Sequence, residues 1–166
     1  MVLVYLSAPI IHDTLRKDDF CSTVIGAMED NGVTVFAPQL LAAREPNLIY
    51  RRDVEHVRMC DLLIAEVSSP SLGVGMEIML AIGLMKPVLM FLQSNSERVS
   101  KMVLGAEGKV LFRYESLKEV DQVLRSFDAE NLIVQKCTAC DSQVAEVLED
   151  KTRCIACGHT GRNPVV

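Results

Sequence analysis

The chain has 166 residues, 49% of them hydrophobic, with 17 basic against 22 acidic side chains and a formal net charge of −5. That is enough apolar mass for a packed core and excludes a disordered chain. The acidic surplus speaks against nucleic acid as a partner, because phosphate backbones are gripped by basic surfaces.

In chain order, Val2 to Leu6 reads as a first strand and Thr14 to Asn31 as a helix stopped at Asn31-Gly32. Val33 to Phe36 is a second strand, followed by a loop holding Pro38 and Pro46. Asn47 to Cys60 repeats apolar residues at helical spacing through Leu48, Val54 and Val57. Asp61 to Val67 is a third strand with Val74 to Met85 as its crossover helix; Val88 to Leu92 is a fourth strand. Glu97 to Leu104 reads as a short helix, Val110 to Arg113 as a fifth strand and Leu117 to Asp128 as a closing helix. Strands separated by helices predict an α/β fold, a doubly wound five-stranded parallel (Rossmann-like) sheet with right-handed crossovers. The apolar N-terminus is too short for a signal peptide and no apolar run reaches membrane-spanning length, so a soluble cytoplasmic protein without a membrane partner is expected.

The most informative stretch runs from Asp61 to Glu77. Leu62 to Val67 is a nearly continuous apolar run, as in a parallel strand covered on both faces, and Pro70, Gly73 and Gly75 punctuate the segment after it. An open α/β sheet places its chemistry at such a strand-to-helix turn. Ser68, Ser69 and Ser71 offer hydroxyls there, and the two glycines let backbone approach a ligand. Glu77 comes close to the predicted helix start, where a carboxylate is equally a favourable N-terminal charge.

Composition changes near residue 130. Residues 1–130 hold 13 basic and 18 acidic side chains and residues 131–166 hold 4 of each, so the acidic surplus belongs to the first part. Cys137-Thr-Ala-Cys140 and Cys154-Ile-Ala-Cys157 are separated by thirteen residues. Two such knuckles predict four thiolates around one structural Zn²⁺ in a small C-terminal zinc ribbon, with Gln143 to Leu148 as a hairpin strand; iron, a redox pair and inert surface thiols are the lesser alternatives. His159 is read as an exposed histidine because four sulfurs already close the site. Cys21 and Cys60 fall at apolar positions of helical segments and read as buried thiols. The domains are therefore 1–130 and 131–166.

The segment from Asp53 through Glu77 resembles the signature of the nucleoside 2-deoxyribosyltransferase superfamily, and within it that of the 2'-deoxynucleoside 5'-phosphate N-hydrolases. Val4-Tyr5-Leu6-Ser7-Ala8-Pro9, Lys86-Pro87-Val88 and Arg98-Val-Ser-Lys-Met102 add to the likeness, which covers roughly residues 1 to 130. The resemblance implies that Glu77 is a nucleophile attacking the anomeric carbon and that Asp53 helps protonate the departing base, with Asp53 or a water as the protonated partner and Glu77 ionised. Without it, Asp53 would read as a solvated helix residue among Arg51, Arg52 and Glu55.

The same resemblance implies a 5'-phosphate site at Ser71, Gly73 and Gly75, completed by Ser100 of a neighbouring subunit in a homodimer. It places Tyr5 and Ser7 on the strand lining the base and sugar pocket. From the residues alone Ser71 and Ser100 are also helix caps and Tyr5 a core residue. The chain departs from the hydrolases in its first loop: where they carry a glycine-rich loop with an arginine, it has Ala8-Pro9-Ile10-Ile11-His12-Asp13, leaving His12 or Arg16 for that role. No cofactor is expected for catalysis. The implied activity is hydrolysis of (deoxy)ribonucleoside 5'-monophosphates to free base and sugar 5-phosphate. A base-exchanging deoxyribosyltransferase and a non-catalytic nucleotide-sensing or partner-binding module are the rivals.

Overall fold

Five short segments pair in parallel in the order β2-β1-β3-β4-β5. They are β1 (Leu3–Ser7), β2 (Thr34–Phe36), β3 (Leu62–Glu66), β4 (Val88–Gln93) and β5 (Lys109–Tyr114). The computed structural model describes residues 1–42, 44–96 and 99–162. β3 is buried along its whole length, as its continuous apolar run predicts. Successive residues face opposite sides of the sheet. Val4, Leu6, Ile64, Leu89 and Phe91 meet α1 (Asp18–Asp30) and α5 (Leu117–Leu124) in one core; Tyr5, Leu63, Ala65 and Met90 meet α2 (Pro46–Met59) and α3 (Leu72–Gly83) in the other. Chain direction across the sheet reverses between β1 and β3, which opens a crevice at their C-terminal ends.

Several helix limits differ from the sequence reading. α1 starts at Asp18, not Thr14: Asp13–Leu15 is a separate 3₁₀ turn, and Arg16 is extended with its guanidinium 2.8 Å from Asp18. α1 does stop as expected, with Gly32 at φ 75°. α5 ends at Leu124, where Ser126 turns its hydroxyl onto the Val123 carbonyl at 2.7 Å and Phe127 drops into the core. α4 covers Lys101–Gly105; Glu97 and Arg98, assigned by sequence to this helix and, for Arg98, to the family likeness, lie outside the described residues. Cys21 and Cys60 are buried, as expected.

The C-terminal part forms a second, antiparallel sheet of β6 (Leu132–Val134), β7 (Val144–Val147), β8 (Lys151–Cys154) and β9 (Thr160–Arg162). It docks at the entry of β5, the opposite end of the strands from the crevice. Gln143 grips that entry twice, its N–H donating to the Lys109 carbonyl at 2.8 Å and its Oε1 accepting from the Gly108 N–H at 3.0 Å. Val144 is fully buried in the same cluster as α1 and α5, with Ile155 packed against it. Glu146 accepts from the Asp128 N–H and from Arg153 Nε, at 2.8 and 3.0 Å.

Candidate active site

The period of two along β1 aims Tyr5 and Ser7 at the α2/α3 side, where α3 presents Glu77 at the crevice. The Tyr5 hydroxyl donates to Glu77 Oε1 at 2.9 Å, and the Ser7 hydroxyl donates to Oε2. Both oxygens are thus held by neutral donors, an arrangement that suits the ionised carboxylate. Burial acts the other way and dominates, pushing the Glu77 carboxyl up to about 7 against the pull of those two hydroxyls; Asp53 adds to the rise and Arg52 opposes it. Tyr5 is wholly buried, and burial, then the Glu77 and Asp53 charges, push its phenol upward, so it stays a donor.

Asp53 comes from α2 and is not the solvated residue its charged neighbours suggest. Its side chain is 15% exposed and meets Arg52 Nε at 2.7 Å. The Arg52 guanidinium carbon sits 5.9 Å from the centre of the Phe36 ring. Phe36, closing β2, stacks on His56 with centroids 3.6 Å apart and tilts against Tyr5 at 5.5 Å. His56 Nδ1 lies 2.7 Å from the Arg52 carbonyl oxygen, which fixes the ring. Neither Arg52 nor Phe36 nor His56 stood out in the sequence. Arg52 and Asp53 are adjacent on a helix, a spacing that does not normally bring side chains together.

The β3–α3 turn differs from expectation in one respect. α3 begins at Leu72, so Gly73 and Gly75 lie in its first turn and Glu77 in its second, out of reach of the N-terminal dipole that could have explained it. Ser71 is the N-cap, its Oγ accepting from the Val74 N–H at 3.4 Å. The Gly75 N–H donates to the Ser71 carbonyl at 3.1 Å and the Val74 N–H is capped, which leaves the Leu72 and Gly73 N–H groups, without intrahelical partners by construction, to receive an anion at the start of this 12-residue helix. The turn is braced from behind: Ser68 donates to the fully buried Glu66 and accepts from the Gln93 N–H at 2.7 Å, while Tyr114 donates to Glu66 at 3.0 Å. Of the candidate cations in the first loop, Arg16 is engaged with Asp18 and the Ile10 carbonyl, and His12 is exposed. Lys17 donates to Gln93 Oε1 at 2.9 Å. Ser100 is exposed at the start of α4 without a capping bond. Gln39, another residue no motif marked, has both amide atoms buried just after β2, its amide near the Cys21 thiol.

The four predicted sulfur ligands converge. Cys137, Cys140, Cys154 and Cys157 place all their sulfurs within 4.8 Å of one another. The Cys137–Cys157 and Cys140–Cys154 separations are both 3.7 Å. A tetrahedron with Zn–S bonds of about 2.3 Å has edges of about 3.8 Å, so the donor set fits a tetrahedral thiophilic ion such as zinc. The Ala139 N–H donates to Cys137 Sγ at 3.3 Å, as knuckle backbones do, and His159 turns away to Thr138 Oγ1 at 3.1 Å.

The sequence profile of the nucleoside 2-deoxyribosyltransferase family matches residues 4–115, from the second residue of β1 through β5, with every residue of this crevice inside it. The chain belongs to that family. A relative in Thermofilum pendens, bearing the name of a candidate 2'-deoxynucleoside 5'-phosphate N-hydrolase, is 32% identical over 134 residues, 76% of this chain and 92% of the relative. The 5-hydroxymethyl-dUMP N-hydrolase of Tetraodon nigroviridis is 42% identical over 82 residues, 48% of this chain, and the chain spans 58% of its length. Among solved structures, a CMP N-glycosidase from Clostridium botulinum superposes with a TM-score of 0.60 at 23% identity, covering 74% of this chain and 96% of that one. At that identity the likeness speaks for the deoxyribosyltransferase fold alone.

Proposed function

We propose that the protein is a nucleotide N-hydrolase that cleaves the N-glycosidic bond of (deoxy)ribonucleoside 5'-monophosphates. The observation that carries the reading is the Glu77 carboxylate, held at the β1/β3 crevice by the Tyr5 and Ser7 hydroxyls. The names of the relatives agree with it. In the first step Glu77 attacks C1', its C–O bond forming as the C1'–N bond breaks, and the base leaves with a proton from Asp53 or a water that Asp53 orients. In the second, water adds at C1', the ester to Glu77 breaks, and the water's proton replaces the one that left. Two carboxylates at one crevice suit a reaction in which one meets an oxocarbenium-like carbon and the other assists the departing base. The 5'-phosphate is received by Ser71 and the first-turn N–H groups at Leu72 and Gly73, with Gly75 keeping the approach open.

A homodimer completes the site. α3 carries Leu72, Met76 and Met79 along one stripe at 90%, 61% and 55% exposure, and Met102 beside Ser100 is 74% exposed. A stripe of that kind calls for a partner surface, and a second copy laid on it brings Ser100 to the neighbouring phosphate. Residues 1–130 bear the reaction; residues 131–166 are a zinc-stapled support at the opposite end of the strands from the crevice, where the ion contributes folding free energy and no catalytic step. Among the described residues, no helix is long and apolar enough to cross a membrane.

The test is chromatography of bases released from a panel of deoxyribo- and ribonucleoside 5'-monophosphates and nucleosides, with wild type and Glu77→Ala, with and without an acceptor base. Release from monophosphates that vanishes in the variant establishes the hydrolase. Base exchange without net release makes it a transferase, and silence across the panel leaves a binding module.

A further inference from the structure

Two consecutive residues of α2 form an ion pair that helix geometry does not produce by itself. Side chains at i and i+1 diverge by about 100° around a helix, so Arg52 must fold back to reach Asp53. What folds it back is tertiary. Its guanidinium carbon lies over the Phe36 ring at 5.9 Å from the centre, and the ring's other contacts, His56 stacked at 3.6 Å and Tyr5 at 5.5 Å, leave it little freedom. The pair is nearly withdrawn from solvent, at 20% and 15% side-chain exposure. Tyr5 at the end of this chain of contacts is itself bonded to Glu77. The crevice therefore holds two carboxylates, and among the described residues Arg52 is a cation that acts on both, paired with Asp53 and opposing protonation of Glu77.

Resting on the hydrolase reading, we propose that Arg52 is a positioning residue: seated over Phe36, it fixes the orientation of Asp53 and offsets the repulsion between Asp53 and Glu77. Among the described residues, the groups acting on Glu77 are Tyr5 and Ser7 from β1 and Arg52 and Asp53 from α2, with His56 behind the Phe36 ring. Of these, Asp53 raises the proton affinity of Glu77 and Arg52 lowers it. Removing the guanidinium leaves the opposing carboxylate unopposed and lets Asp53 swing. A lysine restores the charge without the planar fork that fixes carboxylate geometry.

Arg52→Gln and Arg52→Lys separate charge from geometry. The first readout is the titration of the Glu77 carboxyl by ¹³C NMR, assigned against Glu77→Gln, in a protein shown by thermal melting to be folded. The second is the pH profile of kcat and kcat/KM on the best monophosphate of the panel. Arg52→Gln is expected to move the Glu77 midpoint up by about half to one pH unit and the acid limb of kcat with it. It should lower kcat roughly tenfold or more with KM little changed. Arg52→Lys should return the midpoint toward wild type while kcat stays low. Phe36→Leu, which keeps the arginine but loosens its seat, should shift the midpoint in the same direction by less. A Glu77 midpoint unmoved in Arg52→Gln overturns the proposal, as does a rise in KM with kcat intact, which would make Arg52 a substrate contact instead. The titration reads out in a protein that turns nothing over, so absence of base release from wild type sinks the hydrolase reading while the midpoint still decides on Arg52.

Discussion

Tyr5 and Glu77 are 72 positions apart in sequence and 2.9 Å apart in space, a phenol on the first strand donating to a carboxylate on the third helix. The bond ties the two sides of the β1/β3 crevice together. Because Tyr5 is fully buried, Tyr5→Phe keeps its packing and removes only the donor. A hydrogen bond to a charged group contributes about 1.5–3 kcal/mol, so kcat/KM for base release is expected to fall roughly 10- to 100-fold. The acid limb of the profile should move upward, since a donor that favours the ionised form is gone. Steady-state kinetics across pH, beside a melting curve close to wild type, checks both.

The raised proton affinity of Glu77 makes a stability prediction with a definite sign. Between its ordinary value of 4.5 and its folded value of about 7 the folded protein holds a proton that the unfolded chain has released. Stability is therefore lost as pH rises through that window, by at most about 3 kcal/mol for a shift of this size. Glu77→Gln has no such loss. Its melting temperature relative to wild type should climb from pH 5 to pH 8, and differential scanning calorimetry at the two pH values measures it. A constant offset would mean that Glu77 is as well solvated in the fold as in the unfolded chain.

The order of strands and helices was legible because periodicity reports burial: the unbroken run Leu62 to Val67 is a strand covered on both faces, and the Cys-x-x-Cys repeat does bring four sulfurs together. Helix starts were less legible. The glycines after Ser71 looked like turn residues, yet the Ser71 cap lets the helix begin before them, which moves Glu77 into the second turn. Glu77 and Asp53 could be named as candidates, but Arg52, Phe36, His56 and Gln39 could not. Their significance lies in contacts between β2 and α2, and in the burial of an amide just after β2, and one-dimensional spacing carries neither.

The exposed stripe on α3 gives the proposed homodimer a direct test. Met76→Glu puts a charge at its centre, one residue from Glu77 and 61% exposed, where it should leave the monomer's fold intact. Light scattering after size exclusion should show the wild type at twice the chain mass and the variant at once. Activity should fall with dissociation, through loss of the partner's Ser100, and return in part at high protein concentration. A wild type that runs as a monomer at micromolar concentration removes Ser100 from the site.

The ribbon contributes to the parallel sheet through packing, and this decides what metal removal does. Val144 and Ile155 lie in the core of α1 and α5, and Gln143 holds the entry of β5. A separate module would melt by itself on chelation and leave the remainder untouched. Here, stripping the ion with a strong chelator should lower the melting temperature of the whole chain in one transition, because freeing the knuckles withdraws part of the core. Val144→Ala, with metal bound, should cost roughly 1–3 kcal/mol, the range for a cavity in a fully buried site. Since the crevice opens at the other end of the strands, base release by the protein that remains folded should continue. Two calorimetric transitions after chelation would make the ribbon an independent domain, and abolished turnover in the folded fraction would give it a part in the reaction.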